Sequence, residues 1–264
     1  MTSKSVTAPE LTAMKARGEK ISMLTAYDYP SGRLADEAGV DVVLVGDSLG
    51  MVVLGYETTL QVTMEDIVRH TAAVSRGVRR ALIAADMPFL SYQINAEEAL
   101  RNAGRLVVEA GAQAVKLEGG ERTAEAITKI VEAGIPVIGH LGMTPQSVNV
   151  FGGFKEQGKD EWQADRIRRD ALVLQDAGVC CIVLEKIPPA LAGEITKSLD
   201  IPTIGIGAGP DCDGQVLVMH DVIGLFDKFT PPFAKQYADL GQVMLDAFKA
   251  YNSEVKSGKF PGRG

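Results

Sequence analysis

Basic side chains are scarce in this 264-residue chain. There are 27 Lys and Arg against 34 Asp and Glu, for a formal net charge of −7 and a pI near 5.1. A general binder of nucleic acid or of an anionic membrane needs a basic face, so both classes are set aside. A local basic pocket for an anionic substrate stays open. Cysteine is scarce as well: Cys180, Cys181 and Cys212 show no metal-ligand spacing. Cys180 and Cys181 lie in an apolar run and read as core packing. The odd number fits a reducing cytosol. No apolar run reaches the length of a membrane span, and the start, MTSKSVTAPE, has no apolar signal core. Linkers and low-complexity tracts are also missing. The expectation is one soluble, cytoplasmic domain over 1–264.

What is present is apolar material in short pieces. Hydrophobic residues make up 46% of the chain, enough for a full core. The stretch DVVLVGDSLGM at 41–51 shows the pattern. Val42, Val43, Leu44 and Val45 form a run of the kind buried on both faces in parallel sheets. Gly46 ends it, and Asp47 and Ser48 follow at once. These two either start a turn or cap a helix, or they mark a site at the carboxyl end of a strand.

Similar runs recur at 21–26, 81–85, 112–117, 136–139, 180–184, 202–206 and 216–219. The segments between them predict helices, with Asn95 and Asp160 as N-caps and Gly77, Gly111, Gly134 and Gly178 as stops. The first 19 residues predict a short helix with Leu11, Met14 and Ala13 inward, and the tail predicts a helix over 233–255. Eight strands alternating with helices predict a closed (β/α)8 barrel, with an open doubly wound sheet as the other arrangement. The connection 141–159, rich in Gly, reads as a lid or binding loop.

Asp47, Asp86, Glu118, His140 and Glu185 each follow a different predicted strand. In a barrel these ends converge on one face. Each charge there is costly unless paired or metal-bound. Asp47, Asp86 and Glu118 are hard oxygen ligands that suit Mg²⁺; capping or pairing with Lys and Arg is the alternative. Lys116 and Glu118 are two apart on a strand and face the same side. Lys116 therefore meets a substrate carboxylate or pairs with Glu118. Glu185 ends the apolar run CCIVLE, where an apolar setting would raise its pKa and make it a general base. His140 and Tyr27, at other strand ends, are further candidates. GIGAG at 205–209 lacks the full dinucleotide fingerprint and suits anion binding or close backbone approach.

TAYDY at 25–29, VGDSLGM at 45–51, Asp86-Met-Pro-Phe and KLEGG at 116–120 occur in this order. GHLGMTPQSVN at 139–149, FGGFKEQG at 151–158, VLEKIP at 183–188, IPTIGIGAG at 201–209 and DGQVLVMHD at 213–221 continue the series. Together they resemble the ketopantoate hydroxymethyltransferase (3-methyl-2-oxobutanoate hydroxymethyltransferase) family over nearly the whole chain. The resemblance implies a barrel of the phosphoenolpyruvate-mutase/isocitrate-lyase type, with an N-terminal helix and extra C-terminal helices. It implies transfer of a hydroxymethyl unit from 5,10-methylenetetrahydrofolate to 3-methyl-2-oxobutanoate, giving 2-dehydropantoate and tetrahydrofolate on the route to pantothenate and coenzyme A. It further implies one Mg²⁺ per subunit stabilising an enolate, and a cytoplasmic homodecamer. The family pattern puts metal contact on Asp47, Asp86 and Glu118. Substrate contact falls on Asp47, Ser48, Asp86 and Lys116, and the proton acceptor is Glu185. The competing expectation is a Mg²⁺-dependent C–C lyase or mutase acting on another 2-oxo acid.

Overall fold

The short apolar runs become eight parallel strands. In a computed structural model that describes residues 5–229 and 231–262, they are β1 (Ile21–Thr25), β2 (Val42–Val45), β3 (Leu82–Asp86), β4 (Ala114–Glu118), β5 (Val137–Gly142), β6 (Cys181–Glu185), β7 (Thr203–Ile206) and β8 (Gly214–Leu217). Each pairs with the next, and β8 pairs back with β1 to close a barrel. The open sheet is thereby excluded. Closure leaves no strand edge, and the surrounding helices explain why β2, β3 and β4 are buried along their whole length.

The chain forms two compact units, 1–217 and 218–264. The first holds the barrel, an N-terminal helix α1 (Ala8–Ala16), and the connecting helices. These are α2 (Tyr29–Glu37), α3 (Leu49–Val52), α4 (Met64–Ser75), α5 (Ala96–Val108), α6 (Ala124–Glu132), α7 (Val148–Phe151), α8 (Glu161–Asp176) and α9 (Pro189–Ser198). Asn95 and Asp160 cap α5 and α8 through their side chains, as expected. Leu11 and Met14 of α1 join Ile21, Met23, Val42 and Leu82 in one buried cluster, while Ala13 is only partly covered. Fully burying a Leu side chain contributes about 1.5–3 kcal/mol, so α1 is held mainly by this contact. Cys181 packs inside the same cluster.

The second unit contains α10 (Met219–Ile223) and α11 (Leu240–Lys256). Within it, Tyr237 N–H donates to Val222 O at 2.7 Å and Gly241 N–H to Gly224 O at 3.0 Å.

Several boundaries differ from expectation, each for a physical reason. β5 runs on through His140 to Gly142 because β6 pairs with it as far as Gly142↔Glu185. β8 begins at Gly214, two residues early, because pairing to Ile21 of β1 fixes its start. The tail helix begins at Leu240, where Asp239 accepts from Gln242 N–H and caps it. The connection after β5 is not structureless: Pro145–Ser147 form a 3₁₀ turn that leads into α7. Lys186 Nζ donates to Phe154 O at 2.7 Å, and Gln157 N–H donates to Lys186 O at 3.0 Å.

Candidate active site

Side chains alternate across a strand, so residues two apart on β3 to β6 share the barrel's inner face. On that face apolar residues lie below and charged ones at the carboxyl ends: Ala84 then Asp86, Ala114 then Lys116 and Glu118, Ile138 then His140, Val183 then Glu185. Register sets who meets whom. Asp86 lies beside Lys116, and Glu118 beside His140. Lys116 Nζ is 3.0 Å from Asp86 Oδ1 and 3.3 Å from His140 Nδ1. His140 Nδ1 is 3.5 Å from Glu118 Oε1, and its Nε2 is 3.3 Å from Glu185 Oε2. Asp86 Oδ2 accepts from the Asp47 N–H at 2.9 Å.

Asp47, Ser48, Asp86, Lys116, Glu118, His140 and Glu185 therefore form one contiguous group, and the expected residues do converge. Ser48 precedes α3, yet its side chain makes no capping bond. Its hydroxyl lies 2.9 Å from the Tyr27 hydroxyl. Capping thus accounts for the position of Ser48 and not for its side chain. A Cβ on Gly46 would meet Ser48 Oγ at 2.8 Å, so the glycine keeps this corner open. Two of the GIGAG glycines are closely packed: a Cβ on Gly205 would meet Cys212 Sγ at 3.0 Å, and one on Gly209 would meet Pro189 at 2.6 Å.

Two residues in the group carry no charge and escaped the sequence reading. Gln146, in the turn after β5, donates its backbone N–H to Glu118 Oε2 at 2.9 Å and its side-chain Nε2 to Asp47 Oδ2 at 2.9 Å. Tyr92 donates its hydroxyl to Gln146 Oε1 at 2.6 Å and accepts the Glu118 N–H at 3.1 Å. Both are buried. The one available signal was that Gln146 lies inside the string GHLGMTPQSVN.

Burial dominates the electrostatics. Asp47 is 4% exposed, Asp86 2%, Glu118 2%, Lys116 5% and His140 3%. Burial pushes the Asp47 carboxyl well up, and the charges of Asp86 and Glu118 push it further. Burial also raises Asp86, against the pull of Lys116. For Glu118 burial is outweighed by the His140 hydrogen bond and charge, and its pKa falls. Burial opposes protonation of His140, as does the Lys116 charge, but hydrogen bonds to Glu118 and Glu185 win and lift it to about 9. Lys116 is likewise held charged, because Asp86, Glu118 and Asp47 outweigh its burial. Glu185 is set apart by access: its side chain is 16% exposed, with an imidazole on one side, so its surroundings are less apolar than the run CCIVLE suggested.

The donors fit a hard divalent cation in kind. Asp86 Oδ1 is paired with Lys116 Nζ at 3.0 Å and Glu118 Oε1 lies 3.5 Å from His140 Nδ1, so three buried carboxylates face one ammonium and one imidazole. Among the described residues no group of three or more His, Cys, Asp or Glu side chains is drawn together tightly enough to hold a metal ion. The donor chemistry is present, with its members paired to Lys116, His140 and Gln146. No helix among the described residues is long and apolar enough to cross a membrane.

Comparison with solved structures places the barrel. Phosphonopyruvate hydrolase in complex with oxalate and Mg²⁺ matches with a TM-score of 0.63 at 14% identity, covering 96% of this chain and 88% of that one. A 2,3-dimethylmalate lyase of the PEP mutase/isocitrate lyase superfamily matches at 0.61 and 18%, covering 98% and 90%. At such identities the likeness shows the fold. Sequence carries more. The chain is 61% identical over 261 residues to the 3-methyl-2-oxobutanoate hydroxymethyltransferase of Acetivibrio thermocellus, covering 99% of this chain and 92% of the relative. It is 58% identical to that of Moorella thermoacetica, covering 97% and 95%. The family model for ketopantoate hydroxymethyltransferase matches residues 5–263. The chain belongs to the ketopantoate hydroxymethyltransferase family and is a hydroxymethyltransferase.

Proposed function

We propose that this enzyme moves a one-carbon unit from 5,10-methylenetetrahydrofolate to C3 of 3-methyl-2-oxobutanoate, giving 2-dehydropantoate and tetrahydrofolate. The observation that carries the reading is the contiguous group from Asp47 to Glu185, in which the charged members are buried except Glu185, whose side chain is 16% exposed. Lys116 and Ser48 hold the substrate carboxylate, with Asp47 and Asp86 beside it. Glu185 accepts the proton from C3. Water adds to the folate methylene carbon as its two bonds to nitrogen break and the nitrogens take up protons. The electron pair left on C3 forms the new bond to that carbon, which keeps the water oxygen as the product hydroxyl. His140 lies 3.3 Å from Glu185 and orients that carboxylate. Asp47, Asp86 and Glu118 would hold one Mg²⁺ per subunit; when bound, it supplies an electrophile that withdraws charge from the keto acid's oxygens.

The same reading extends to assembly and compartment. Val243, Phe248 and Tyr251 of α11 are exposed, which supports a homo-oligomer, a decamer as the resemblance implies. The acidic charge and the free cysteines support a cytoplasmic setting. The test is product formation from the keto acid and methylenetetrahydrofolate, with Mg²⁺ and after chelation. Turnover that needs the divalent cation is expected. No 2-dehydropantoate under either condition would overturn the assignment of substrates.

A further inference from the structure

The acidic group draws on several strands, and one uncharged residue from outside them ties two of its carboxylates together, Asp47 through its side chain and Glu118 through its backbone N–H. Gln146 sits in the turn after β5, 6% exposed. Its side-chain nitrogen donates to Asp47 Oδ2 at 2.9 Å and to Met87 O at 3.0 Å, so both amide hydrogens are used. Its backbone N–H donates to Glu118 Oε2. Its side-chain oxygen accepts from Tyr92 at 2.6 Å and Gln93 at 3.3 Å. A flipped amide would set an oxygen against Asp47 and Met87 O, and its NH₂ against that of Gln93, so the orientation is fixed. Tyr92 is itself fixed by accepting the Glu118 N–H.

We infer that Gln146 is a positioning residue for the cation site. It occupies one oxygen each of Asp47 and Glu118 and fixes the planes of both carboxylates, and Tyr92 acts through it. With no amide hydrogen to spare, Gln146 does not bind substrate. Glu118 Oε1, the oxygen it leaves alone, is buried and faces His140 Nδ1 at 3.5 Å. This inference rests on the divalent-cation reading above. Ligands held by such outer partners typically lose roughly 10–100-fold in metal affinity when the partner is removed.

The experiment is Mn²⁺ binding to the full chain without substrate, followed by the electron paramagnetic resonance signal of the free ion. Gln146→Met keeps the shape and the backbone N–H but removes the amide; roughly 10–100-fold weaker binding is expected. Tyr92→Phe should weaken binding less, by under about tenfold, and should add nothing in the Gln146→Met background. Equal affinity of wild type and Gln146→Met overturns the inference. So does a Tyr92→Phe loss that persists in full in the double variant. Should Gln146→Met fail to fold, Tyr92→Phe decides: weaker binding supports the inference and unchanged binding overturns it. A wild-type chain that binds no Mn²⁺ overturns the divalent-cation reading itself, and this inference with it.

Discussion

The two ends of the barrel are built from the same strands and by opposite means. At the amino end, Leu11 and Met14 of α1 close over Ile21, Met23, Val42 and Leu82, and nearly every buried contact is apolar. Charge stays at the rim, where Lys15 reaches Thr196 O, Ile201 O and Asp213 Oδ2 at 2.8 to 3.0 Å. At the carboxyl end, Asp47, Asp86, Lys116, Glu118 and His140 are as deeply buried as that core. Desolvation there opposes folding and is offset only by mutual pairing. One end stabilises the barrel, and the other uses part of that stability to hold charges ready.

Four changes would sharpen or break this contrast. The largest effect is expected at the carboxyl end: Glu185→Gln should lower kcat by about 10²–10⁴-fold in steady-state assays while the melting temperature holds. A normal rate would remove Glu185 as the base. Next comes the amino end. Leu11→Ala should cost about 2–5 kcal/mol in denaturant unfolding and leave the activity of the folded fraction unchanged. A loss of kcat at full folding would show that the two ends are not separable.

Third is pH. The folded His140 pKa, about 9, lies above its usual value of 6.5, so its contribution to stability is complete below pH 6.5 and is lost as pH rises through about 9. Unfolding free energies across that window should fall for the wild type and flatten for His140→Gln. The same slope in both would contradict the pairing. The smallest effect belongs to Ser48→Ala, which removes one hydroxyl contact worth about 0.5–1.5 kcal/mol. It should raise KM for the keto acid by up to about tenfold, with kcat little changed. A rise in KM for the folate instead would move Ser48 to the other substrate.

The contrast also explains what the sequence could reveal. Strand ends such as Asp86 and Glu118 stood out because a charge closing a short apolar run is visible without coordinates. The eight runs and their alternation with helices carried the barrel for the same reason. Gln146 and Tyr92 did not stand out. They are neutral residues of connecting segments, and only barrel closure brings them to Asp47 and Glu118. The strand β8 lies two residues before the expected 216–219 because Gly214 and Gln215 look like loop residues, and pairing to β1 decides their state. Helices α3, α7 and α10 are too short for any periodicity to register. Sequence alone leaves Ser48 between a cap and a site residue; its hydroxyl lies on Tyr27 and makes no capping bond at the helix end.

The central claim is that the carboxyl end is arranged to take a proton from the carbon beside a keto group, with Glu185 as acceptor. Deuterium exchange at C3 of 3-methyl-2-oxobutanoate in deuterium oxide, with folate left out, measures that step alone. The account predicts exchange by the wild type that depends on a divalent cation and is lost in Glu185→Gln. Exchange that is undiminished in Glu185→Gln, or no exchange by the wild type with cation present, would contradict it.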